Sequence, residues 1–131
     1  MTNDEIRAFL ENAIQENKVM LFMKGTPNQP ACGFSARASG CLNALGVQYA
    51  ALDILPDQSI REELSGLSGW PTIPQLFVNG ELVGGSDIVL EMFESGELAE
   101  LLGVEQPGTP EVEQEQPQPQ KRPIGLENRL D

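Results

Sequence analysis

The chain has 131 residues, the length of a single domain, and 40% of them are hydrophobic, enough for one modest core. Eight Lys and Arg against twenty Asp and Glu give a net charge of −12, which excludes a general phosphate-backbone binder and adhesion to an anionic membrane surface. Histidine is absent, which excludes a Ser-His-Asp triad and an HExxH zinc site, and two cysteines, Cys32 and Cys41, are too few for a disulfide framework or a four-cysteine zinc site within one chain.

Thr2 and Glu5 have capping-box spacing, and Ile6, Phe9, Leu10, Ala13 and Ile14 then fall on one face, which predicts a helix to about Asn17. This opening stretch is acidic and amphipathic, unlike a signal or transit peptide. The longest apolar run is far short of a membrane span, so the expected address is a reducing cytoplasm. Val19 to Met23 is continuously apolar and reads as a buried strand. Residues 25–32 form a Gly- and Pro-rich loop, followed by a helix from about Cys32 or Gly33 to Leu45 that stops at Gly46. Residues 49–54 read as a strand. Pro56-Asp57 starts a helix carrying Ile60, Leu64 and Leu67, and residues 69–74 break it.

Gln75 to Val78 is the next strand, and Asn79-Gly80 signals a type I′ hairpin into Glu81 to Val83. Ser86 or Asp87 can cap a helix carrying Ile88, Val89, Met92 and Phe93, and a last short helix ends near Leu102. The order α-β-α-β-α-β-β-α predicts an α/β fold: a four-stranded mixed sheet flanked by helices on both faces. Strands joined through helices are expected to be parallel and the hairpin antiparallel. From Gly103 the composition changes. Half of the ten prolines and five Gln lie in residues 103–131, which predicts a disordered acidic Pro/Gln-rich tail after a domain at 1–102. The terminal KRPIGLENRLD reads either as a frayed end or as a short docking motif.

Cys32 sits at a predicted helix start, where the partial positive charge and free N–H groups favour a thiolate. Lys24 can add a full charge. Ser35 stands three residues on, so no CxxC pair exists. Cys41 lies nine positions along the same helix, on the opposite side and about 13 Å away, beyond disulfide reach. It reads as structural.

Lys24-Gly25-Thr26-Pro27, Cys32-Gly33-Phe34-Ser35, Trp70-Pro71-Thr72-Ile73-Pro74-Gln75 and Gly84-Gly85-Ser86-Asp87-Ile88 occur in order. On these motifs the chain, over residues 1 to about 102, resembles the monothiol CGFS-type glutaredoxins of the thioredoxin fold. The resemblance implies glutathione as ligand. It implies Lys24 and Arg61 at the glycine carboxylate, the backbone of Ile73 beside a cis-Pro74, and Gly85, Ser86 and Asp87 around the γ-glutamyl group. Ser86 stands where members often have Cys, and Ile73 where Phe is frequent.

The resemblance further implies a [2Fe–2S] cluster bridging a homodimer. Cys32 of each chain and two glutathiones would supply four thiolates, and the cluster would pass to apo acceptor proteins. BolA-like proteins are implied as heterodimer partners, and no nucleic acid or membrane is. An alternative is a weak glutathione-dependent thiol-disulfide oxidoreductase with Cys32 as nucleophile. A third reading is a redox-sensing interaction module that docks through its tail.

Overall fold

The computed structural model describes residues 2–105, so the expected tail from residue 106 onward lies outside the described residues. Helix α1 (Asn3–Glu16) begins on the expected capping box. Glu5 N–H donates to Thr2 Oγ1 at 3.1 Å, and Thr2 N–H donates to Glu5 Oε1 at 2.7 Å. Strand β1 (Val19–Met23) follows, with all five side chains buried. Helix α2 (Gly33–Leu45) starts from Cys32 as its N-cap and stops at Gly46, which takes the left-handed conformation at φ 71°.

Strand β2 (Ala50–Asp53) is shorter by one residue at each end than its apolar run. Asp57 caps helix α3 (Gln58–Ser68) by accepting from Ser59 N–H at 2.9 Å. Strands β3 (Gln75–Val78) and β4 (Glu81–Gly84) are joined by Asn79-Gly80. Both turn residues have positive φ, 53° and 83°, as a type I′ turn requires. Helices α4 (Ser86–Ser95) and α5 (Glu97–Leu102) complete the domain.

The sheet order is β2-β1-β3-β4. β1 and β2 are parallel, with Met23 opposite Asp53. β3 is antiparallel to β1, with Gln75 opposite Phe22. This corrects the expectation that every helix-joined pair would be parallel. β2 ends, and β3 begins, at the same end of the sheet. Helix α3 and the return segment 69–74 leave that end and come back to it, so β3 must run the other way.

Alternation along β1 sends its side chains to two cores. Val19, Leu21 and Met23 pack with Leu42, Val89 and Leu98 on the face covered by α2, α4 and α5. Met20 and Phe22 pack with Leu10, Leu64 and Phe77 on the face covered by α1 and α3. Phe22 and Phe77 meet edge to face, with ring centroids 5.7 Å apart. Burying a side chain such as Phe22 contributes roughly 1.5–3 kcal/mol.

The loop between β1 and α2 folds tightly back. Ala31 N–H donates to Lys24 C=O at 2.8 Å, and Gly25 N–H donates to Asp53 Oδ1 at 3.0 Å, tying the loop to the end of β2. Gly25 has φ 87°, and a Cβ there would stand 2.5 Å from both Ala31 N and Gln29 O. These are backbone atoms that cannot step aside. Gly25→Ala is therefore expected to destabilise the fold by about 2 kcal/mol or more, since the left-handed conformation alone costs roughly 1–2 kcal/mol. Urea unfolding checks this: the midpoint falls while the slope stays unchanged.

Candidate functional site

The returning loop places Cys32 at the start of α2, beside the end of β1. Its Sγ accepts from Ser35 N–H at 3.4 Å and lies 3.5 Å from Ser35 Oγ. Ser35 is fully buried, and its Oγ accepts from Lys24 N–H at 2.9 Å. With that lone pair engaged by the backbone, the hydroxyl proton is free to turn toward sulfur. The protonated thiol donates to Oγ. The thiolate accepts from it.

Partial burial is the largest single influence on Cys32 and opposes ionisation. The Ser35 hydroxyl, the N–H groups of Ser35 and Phe34, and the charge of Lys24 together outweigh it. The thiol is held below its ordinary value. Cys41, on the same helix, is buried in the α2/α4/α5 core. Burial pushes its thiol up, Glu94 adds to the effect, and Arg37 opposes it. Both cysteines are free thiols.

Next to the helix start lies a groove of about 350 Å³ lined by Lys24, Phe34, Arg61, Thr72, Ile73, Ser86 and Asp87. Five residues singled out in the sequence, Lys24, Arg61, Ile73, Ser86 and Asp87, thus converge there from four separate segments. Cys32 is not itself a lining residue; it is reached through Phe34, two positions on and exposed. The Ile73–Pro74 peptide bond is cis. Arg37 stacks over Phe34 at 5.8 Å from the ring centroid and sits 3.9 Å from Asp87 Oδ1. Three of the five basic residues in 1–102, Lys24, Arg37 and Arg61, are therefore at this groove. Among the described residues, Lys24 and Arg61 form no ion pair.

The expected cap at α4 is corrected. The N-cap is Gly85, and no side chain caps the helix, because Ser86 and Asp87 are already its first residues. The first-turn N–H groups beside the groove keep no side-chain acceptor, which leaves them for an anion. Gly85 packs closely here: a Cβ would fall 3.1 Å from Trp70 Nε1 and 3.3 Å from Pro74 O, so its neighbours would have to give by a few tenths of an ångström.

Ser35 carries no signal in the sequence beyond its not being Cys, because the group that holds its hydroxyl is the Lys24 backbone N–H just past β1. Phe34, Thr72 and Arg37 were likewise unassigned, since only the fold brings them to one mouth. No group of three or more His, Cys, Asp and Glu among the described residues could hold a metal ion. No helix among the described residues is long and apolar enough to cross a membrane.

A family model described as Glutaredoxin matches residues 19–83. Probable monothiol glutaredoxin 2 of Rickettsia typhi is 53% identical over 102 residues, covering 78% of this chain and 91% of the relative. Glutaredoxin 4 of Escherichia coli is 52% identical over 93 residues, covering 71% of this chain and 81% of the relative. Among solved structures, the reduced apo GrxS14 of poplar matches with a TM-score of 0.69 at 38% identity, covering 79% of this chain and 95% of that one.

The hydroxyl link between Lys24 N–H and the sulfur makes a specific demand. Ser35→Ala is expected to raise the pH midpoint of Cys32 alkylation by iodoacetamide. It also strands the Lys24 N–H, at a cost of roughly 1–3 kcal/mol in stability. Cys41 is expected to stay unlabelled in both proteins until they unfold. Mass spectrometry of the labelled peptides across pH, with a thermal melt, reads all three effects.

Proposed function

Because the chain belongs to the monothiol glutaredoxins, we propose that it is a glutathione-dependent [2Fe–2S] cluster carrier. In this reading it takes up the cluster as a homodimer and hands it to apo acceptor proteins in iron–sulfur cluster assembly. One observation carries the reading: an accessible, thiolate-biased Cys32 has no second thiol in reach and lies beside an open groove furnished with Lys24 and Arg61. A bridging [2Fe–2S] cluster needs four thiolate ligands. One chain offers one, so two chains and two glutathiones complete the set.

In the groove, Lys24 and Arg61 hold the glycine carboxylate. The Ile73 backbone pairs with the tripeptide. The uncapped start of α4, with Ser86 and Asp87, takes the γ-glutamyl end. Two of the four ligands are then small exchangeable molecules, which suits a cluster that is cargo. The reading places the protein in a reducing cytoplasm, where Cys32 persists as a thiol. A BolA-like protein would be an alternative partner for one protomer.

The lowered Cys32 thiol favours one second reading, a monothiol oxidoreductase. The thiolate attacks a glutathione mixed disulfide, forming Cys32–glutathione and releasing the substrate thiolate. A second glutathione thiolate then attacks that bond, giving glutathione disulfide and restoring Cys32. Anaerobic reconstitution with iron, sulfide and glutathione separates the two. A chromophore that appears only with glutathione and only in a dimer supports the carrier. A cluster-bound monomer, or brisk turnover of a mixed disulfide without any chromophore, defeats it. Cys32→Ser is expected to abolish the cluster while the melting temperature stays close to that of the unsubstituted protein, and Cys41→Ser is expected to retain the cluster.

Removing either cation of the groove is expected to weaken glutathione about tenfold or more. A charge-assisted hydrogen bond contributes roughly 1.5–3 kcal/mol, and about 1.4 kcal/mol is a factor of ten. Lys24→Ala and Arg61→Ala serve as the tests and Lys18→Ala as the control, because Lys18 is exposed at the opposite end of β1. Arg7 is a poorer control, since it pairs with Glu63 of α3 at 3.3 Å and braces α1 against that helix. Equal losses of glutathione affinity in all three variants would trace the effect to bulk charge.

A further inference from the structure

Gln75 opens β3 and is fully buried, yet it does not line the groove. Its Nε2 donates to two carbonyls of the preceding segment, Trp70 C=O at 2.9 Å and Thr72 C=O at 3.1 Å. Its Oε1 is buried with no partner. A buried acceptor left unpaired is costly, and the two bonds that the amide donates have to offset that cost. The segment it grips carries Thr72 and Ile73, one wall of the groove. The indole of Trp70, held at the other end of the same segment, lies against Gly85. Gly85 is the N-cap of α4, whose Ser86 and Asp87 form the facing wall. One amide therefore reaches both walls: directly through Thr72, and through the Trp70 ring beneath α4.

We propose that Gln75 is a positioning residue that sets the spacing of the two groove walls and so determines how well the site accepts the extended tripeptide of glutathione. The proposal rests on the glutathione reading of the groove. It predicts a loss confined to reactions that use the groove. Thiol chemistry at Cys32 that bypasses the groove is expected to be untouched, because both side-chain hydrogen bonds of Gln75 go to the 70–72 segment and neither goes to Ser35, Lys24 or the α2 start.

Two kinds of reagent separate these. Glutathione disulfide is attacked by the Cys32 thiolate at one sulfur, forming Cys32–glutathione and releasing one glutathione thiolate; the tripeptide must lie in the groove. With 2-hydroxyethyl disulfide the same exchange needs no groove, and iodoacetamide alkylates the thiolate with loss of iodide. The wild-type chain is expected to react faster with glutathione disulfide than with 2-hydroxyethyl disulfide. No such preference would end the glutathione reading itself, and the proposal with it.

Given the preference, Gln75→Met, equal in length but without donors, is expected to slow the glutathione disulfide reaction about tenfold. The other two rates stay within about twofold, and their pH midpoints do not move. Gln75→Asn keeps the amide but cannot span both carbonyls, and an intermediate loss is expected. A preference that survives in both variants, or equal losses with all three reagents, overturns the proposal. Should the Met variant fail to fold by thermal melt, the Asn variant decides by the same criteria.

Discussion

A strand whose every side chain is buried has to be covered on both sides, and β1 is that strand. Its five apolar residues alternate between two cores, so helices must lie on both faces before any of them is shielded. The arrangement of the site follows from this. Because β1 is central, its end is surrounded, and the chain that leaves it emerges between β2 and β3. Lys24, Gly25 and the returning loop are therefore delivered against Asp53, the start of α2 and the 69–74 segment. The groove is the space these pieces leave at one end of the covered strand.

The two cysteines of α2 show how finely the surroundings divide one chemistry. Both feel burial opposing ionisation. At Cys32 a helix start, a buried hydroxyl and a nearby ammonium reverse the outcome. At Cys41, a few turns along, the core and Glu94 reinforce it. The Ser35 side chain that tips the balance is held from the opposite side by the Lys24 N–H. The reactivity of the thiol is thus fixed partly by the backbone just past the end of β1, outside α2.

Features set by neighbouring residues were legible in the sequence. The Thr2/Glu5 box, the helix start at Pro56-Asp57, the stop at Gly46, the break at residues 69–74 and the Asn79-Gly80 turn each require only a few consecutive side chains, and each stands where expected. The direction of β3 was not legible. It depends on where α3 docks, and the helix period alone does not say which end of the sheet the connection returns to. The cap of α4 was misread for a related reason. Ser86 has capping chemistry, but the N-cap is Gly85, which lies close against Trp70, and the helix starts one residue earlier. The roles of Ser35 and Gln75 were invisible because their partners are backbone groups, which carry no residue signature. The groove residues were recognisable only as motifs; their meeting depends on the fold.

The gathering of basic residues at one end has a consequence for encounters in solution. Residues 1–102 carry five cations against fourteen acidic groups, and three of the five cluster at the groove. The molecule therefore presents a negative body with one locally relieved face. Two copies, or a copy and an acidic partner, repel in most orientations and least when a groove leads. Electrostatics thus guides the approach by penalising wrong orientations. With a Debye length of about 8 Å at physiological ionic strength, added salt relaxes the distant repulsion before it reaches the close contacts. Encounters are then expected to become more frequent, and less selective in orientation, as ionic strength rises.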